Sequence, residues 1–111
     1  MKNWKVITTE SDVQDIIERS ASKTQIIYKH SVTCGISAHA KEKLIDGSLL
    51  LTEHADLNYL DLLRLRRISD LISSELKVTH QSPQIIVLKD KRVVHTASHH
   101  AIEPAAIAKY L

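Results

Sequence analysis

Phenylalanine is absent, tryptophan and cysteine occur once each, and glycine and proline occur twice each. Each scarcity excludes something. With a single cysteine no intramolecular disulfide can form, so the staple framework of small secreted domains is ruled out and a reducing compartment is expected. The few glycines and prolines leave no linker, repeat or low-complexity segment. Without phenylalanine, the core has to be built from Leu, Ile, Val and Ala. No apolar run reaches signal-peptide or membrane-span length, and Met1–Thr8 is mixed in character, which sets the expectation of a cytoplasmic protein with no membrane partner. Fifteen basic residues stand against thirteen acidic ones, for a formal charge of +2. Arg64, Arg66 and Arg67 cluster without interleaved aromatics, so nucleic acid is not an expected partner.

What is present suits one globular domain over residues 1–111, large enough for a core without metal or disulfide. The chain turns on residues 25–45. Gln25-Ile26-Ile27-Tyr28-Lys29-His30 has the β-branched and aromatic content of a strand, and Ile36, Ala40 and Leu44 recur at helical spacing. Cys34 therefore lies at or just before a helix N-terminus, where unpaired amides and the helix dipole favour a thiolate. Ser37 occupies the position at which a Cys-x-x-Cys redox motif would carry its second thiol. Ser31, Thr33 and the permissive Gly35 weigh against a packed core position for the cysteine.

The remaining pattern is read in order. Trp4–Ile7 is a short strand, and Ser11-Asp12-Val13-Gln14 has the form of a capping box opening a helix over residues 11–21. Gly47 stands where a C-terminal cap of the Cys34 helix would fall. Residues 57–63 suit a buried strand, with Asp61 awkward in it and a helix still open as the alternative. Ile68, Leu71, Ile72 and Leu76 mark a helix that ends before Lys77. Ile85–Leu88 and Arg92–Thr96 flank a polar turn as a hairpin, and Pro104 opens a closing helix.

Three blocks carry a more specific signal: Lys29-His30-Ser31-x-x-Cys34-x-Ile36-Ser37, His80-Gln81-Ser82-Pro83-Gln84, and Ser98-His99. In kind and order they resemble the motifs of the bacilliredoxin C (YtxJ-like) family of monothiol thioredoxin-like proteins. The resemblance implies a thioredoxin-like α/β fold, a central mixed sheet flanked by helices. It implies an oxidoreductase that removes a low-molecular-weight thiol of the bacillithiol type from protein mixed disulfides. Cys34 matches the nucleophile, supported by Thr33, Gly35, Ile36 and Ser37. Pro83 matches the proline whose preceding bond is cis, leaving the Ser82 main chain to meet a substrate. Lys29, His30, Ser98 and His99 fall where a thiol-binding surface is expected. The implied partners are S-thiolated proteins, the small thiol as co-substrate, and a reducing redox partner, with no bound cofactor or metal.

Gly35 stands where the family commonly has proline. Cys34-Gly35-Ile36-Ser37 also resembles the Cys-Gly-Phe-Ser signature of monothiol glutaredoxins, which bind glutathione and can share an iron–sulfur cluster. Their Gly-Gly-x-x-Asp segment is replaced here by Ala97-Ser98-His99-His100-Ala101. Seven histidines invite a metal reading, but Cys34 and His39 are five apart on a helix and diverge, and His99-His100 has no second pair. A Cys–His hydrolase would need a base held by a third group. A thioredoxin-like adaptor, with Cys34 incidental, is the non-enzymatic alternative.

Overall fold

The computed structural model describes residues 4–30 and 35–111. The elements are β1 (Trp4–Val6), α1 (Glu10–Arg19), β2 (Thr24–His30), α2 (Gly35–Asp46), α3 (Ser48–Thr52), β3 (Ala55–Asp61), α4 (Arg66–Leu76), β4 (Gln84–Lys89), β5 (Arg92–Ser98), a 3-10 turn (His99–Ala101) and α5 (Pro104–Ala108). The five strands form one sheet in the order β1-β3-β2-β4-β5. β1, β3 and β2 run parallel, while β4 is antiparallel to β2 and β5 to β4.

β2 is the centre of the sheet and every one of its residues is buried. Strand alternation divides its side chains between two cores. Ile26 and Tyr28 join Trp4, Leu44, Leu57, Ile85 and Ile107 on the face covered by α2, α3 and α5. Ile27 joins Val13, Ile16, Leu60, Ile72 and Ile86 under α1 and α4. Burying each such aliphatic side chain contributes about 1.5–3 kcal/mol, so the two layers hold the sheet without phenylalanine.

Several local expectations are corrected by the chemistry of the ends. The first helix is capped by Thr9, not Ser11: Thr9 Oγ1 accepts from the Asp12 amide at 3.2 Å, and Asp12 Oδ2 accepts from the Thr9 and Thr8 amides at 3.0 and 2.9 Å. Asp12 is the shorter, charged acceptor, so its box wins over the Ser11–Gln14 alternative and the helix starts at Glu10. Gly47 does follow the last residue of α2, with its amide on the Lys43 carbonyl at 3.0 Å, but its φ of −94° is not left-handed. It is small because Pro104 lies against it, where a Cβ would meet the proline ring at 2.5 and 2.6 Å. α3, immediately after it, has too few residues for a helical period to register in the sequence. Residues 55–61 resolve as strand, with Asp61 at its end.

The hairpin turn is Asp90-Lys91, both in the left-handed region with φ of 54° and 64°, which suits a two-residue loop between twisted strands. Neither residue is glycine, and the turn is held from outside. The Asp90 amide donates to the Ser20 carbonyl at 2.8 Å and the Lys91 amide to Ser20 Oγ at 3.0 Å.

Candidate active site

Cys34 and Thr33 lie outside the described residues, as do Ser31 and Val32. The elements on either side of them are fixed. β2 ends at His30 and α2 begins at Gly35, the residue after the cysteine, so Gly35, Ile36 and Ser37 form the first turn of a twelve-residue helix. The expected strand-to-helix junction is therefore present around the only thiol of the chain.

The Ser82–Pro83 peptide bond is cis. Pro83 is buried at the head of β4, next to β2 in the sheet. Ser82 is half-buried, and its hydroxyl oxygen is enclosed without a hydrogen-bond partner among the described residues. The Pro83 carbonyl accepts from the His99 amide at 3.2 Å. His99 makes this bond from the left-handed region, at φ 53°, as β5 gives way to the 3-10 turn. That turn packs against α2. Main-chain geometry thus draws together Ser82–Pro83 and Ser98–His99, with the turn that follows packed on α2. Ser98 and His99 are both partly exposed there.

Lys29 and His30 belong to the interior, on opposite faces of the sheet. His30 is 4% exposed, with Nδ1 3.1 Å from the Tyr28 hydroxyl and its ring against Tyr59 at a centroid distance of 5.6 Å. Burial, and secondarily Asp61, pushes the Tyr59 phenol above its usual range. The place on a thiol-binding surface expected for His30 is corrected by the register of β2, which carries its ring inward beside Tyr28. Lys29 is fully buried, with its ammonium 2.9 Å from Ser73 Oγ, 3.1 Å from the Ser69 carbonyl and 3.3 Å from His80 Nδ1. It offers nothing to a thiol at the surface. Burial is the main cause of a Lys29 pKa pushed down to about 8, opposed by Asp70.

Sequence reasoning assigned no role to His80, Ser69 or Ser73. The signal was available: alternation along β2 puts Lys29 on the same inward face as Ile27, and an inward lysine needs acceptors. The polar serines of α4 and the histidine before the proline are the nearest candidates.

Residues 5–107 match the family described as monothiol bacilliredoxin BrxC. The chain belongs to this family. The match runs through all three motif blocks and nearly the whole domain. Among solved structures, a protein described as an oxidoreductase with a thioredoxin fold is 27% identical, with a TM-score of 0.84, covering 97% of this chain and 93% of the other. Thioredoxin from Fasciola hepatica is 15% identical with a TM-score of 0.69, over 96% and 94% of the two chains. Thioredoxin from Plasmodium falciparum is 17% identical with a TM-score of 0.68, over 96% and 92%. The fold is that of thioredoxin, and the bacilliredoxin family places the chain among thiol redox proteins. No helix among the described residues is long and apolar enough to cross a membrane.

Proposed function

We infer that the protein is a cytoplasmic monothiol oxidoreductase that strips a low-molecular-weight thiol of the bacillithiol type from protein mixed disulfides. The observation that carries this reading is the tie of the Pro83 carbonyl to the His99 amide in the turn beside α2, the helix that opens one residue after the only cysteine in the sequence. In a member of the bacilliredoxin family that combination supports disulfide exchange over acyl transfer or a passive adaptor.

The step balances as a thiol–disulfide exchange. The Cys34 thiolate attacks the small-thiol sulfur of the mixed disulfide, the S–S bond breaks, and the protein substrate leaves as its thiolate. Cys34 then carries the small thiol as a new mixed disulfide, with no net oxidation in that step. With no second cysteine in the chain, clearing the adduct takes an external thiol or a reducing redox partner. No bound cofactor is required. The Ser82 main chain serves as the pairing edge for the substrate, and Ser98 and His99 supply the neighbouring surface.

The test follows release of labelled small thiol from a thiolated protein substrate, with mass spectrometry of Cys34. Stoichiometric transfer of the label to Cys34, abolished in Cys34→Ala, is expected. Full release with no adduct on Cys34 would sink the reading.

A further inference from the structure

Lys29 is fully enclosed, and its ammonium is the one part of the side chain that apolar packing cannot satisfy. It ends among neutral acceptors: the Ser69 carbonyl, Ser73 Oγ and His80 Nδ1. An ammonium has three donors and no acceptor, so these partners use all of it when His80 Nδ1 is the unprotonated ring nitrogen, a nitrogen that also lies 3.4 Å from Ser69 Oγ. Ser69 and Ser73 belong to α4, whereas His80 belongs to the connection that runs from α4 to the cis proline.

The cross-strand partner of Lys29 is Gln84 of β4, and Gln84 Nε2 donates to the Thr79 carbonyl at 3.0 Å. One cross-strand pair therefore grips two successive residues of the connection, Thr79 and His80. The Ser82 hydroxyl adds no grip of its own, having no hydrogen-bond partner among the described residues. Among the described residues, the side-chain hydrogen bonds to this segment come from β2, β4 and α4 beneath it.

We propose that Lys29 is a positioning residue: acting through His80, its ammonium fixes the connection that carries Ser82–Pro83, and so sets where the Ser82 main chain meets a substrate disulfide. The consequence for exchange rests on the function inferred above, whereas the consequence for the connection itself does not. The charged groups that bear on the cluster are Asp70 and Arg66 from α4, Lys29 from β2 and His80 from the connection. Burial, then Lys29, holds the His80 pKa below its ordinary value of 6.5, with Arg66 adding to this and Asp70 opposing it. A protonated His80 no longer accepts from Lys29 and sets a second positive charge beside it. Protonation of His80 should thus loosen the hold on the acid side of neutrality.

The experiment uses the full chain and two variants, Lys29→Met and His80→Gln. The first keeps the stem and removes the donors, and the second keeps an acceptor that does not titrate. One readout is hydrogen exchange of the His99 amide, which is protected by Pro83, with the Lys91 amide on Ser20 as an internal control. The other is the rate of thiol removal from a labelled mixed disulfide divided by the rate of Cys34 alkylation by iodoacetamide, which cancels the thiolate fraction. In Lys29→Met, His99 exchange should quicken and the ratio should fall, each by about tenfold, with Lys91 unchanged. In the wild type the ratio should drop as His80 protonates. His80→Gln should stay within about threefold at neutral pH and lose that drop. Unchanged His99 exchange in Lys29→Met overturns the proposal, as does faster exchange with an unchanged ratio. If Lys29→Met does not fold, an acid-side drop that persists in His80→Gln overturns it instead. A wild type that alkylates but removes no thiol sinks the inferred function, and His99 exchange alone then decides the positioning role.

Discussion

Lys29 places a positive charge where no ion pair among the described residues reaches it. Its folded pKa of about 8 lies below the ordinary 10.5, so between those values the unfolded chain binds more protons and stability rises with pH. The penalty is fully present below pH 8 and gone above 10.5. Measured by urea unfolding, the stability of the wild type relative to Lys29→Met should improve by on the order of 2–3 kcal/mol across that window. A flat difference would mean that the ammonium reaches water. At the only thiol, the opening of α2 at Gly35 predicts a Cys34 pKa below the free value of about 8.5, read by thiolate absorbance during a pH titration. A normal or raised value would count against catalysis by Cys34.

At the scale of elements, close approach decides what the pattern of residue types leaves open. Gly47→Ala would drive a methyl group into Pro104, so α3 and α5 would have to part. A loss of about 1–3 kcal/mol is expected, seen as a lower urea midpoint. The α1 cap gives a second case. Thr9→Ala should cost about 1 kcal/mol. The Asp12 carboxyl, held below its ordinary 3.8 chiefly by the Thr8 amide, makes the cap's contribution complete above that value and lost as pH falls through the folded pKa. Both features explain what could be read in advance. The strands, the three long helices and the hairpin were legible because burial imposes periods of 2 and 3.6 on contiguous residues. The true cap, α3 and the reason for Gly47 were not, because they depend on competing hydrogen bonds or on a residue 57 positions away. The site divides in the same way. The junction at Cys34 and the proline block are local motifs, whereas Lys29–His80 spans 51 residues and appears only once β2 and α4 are stacked.

For the molecule as a whole, the proposed function makes turnover an external matter, because the sequence holds a single thiol. The rate of multiple turnovers should climb with the concentration of added reducing thiol until another step limits, while the first turnover should not need it. Ser37→Cys would add a thiol in the first turn of α2, and the small-thiol adduct should then leave without added reductant. Release from the wild type as fast as from Ser37→Cys would contradict the single-cysteine mechanism. The sheet order keeps this chemistry at one end: β2 leads to the cysteine, β4 begins at the proline, and β5 ends at Ser98, all at the same edge.

The bond from the His99 amide to the Pro83 carbonyl is made by main-chain atoms alone. The side chain at position 99 is therefore not part of the tie, and only the left-handed backbone there constrains its identity. Substitution by asparagine or glycine would keep the tie while changing the chemistry presented next to the proline. Under the function proposed above, the scaffold would separate holding from recognising, and so leave this position open to retuning toward a different small thiol without disturbing the proline it borders.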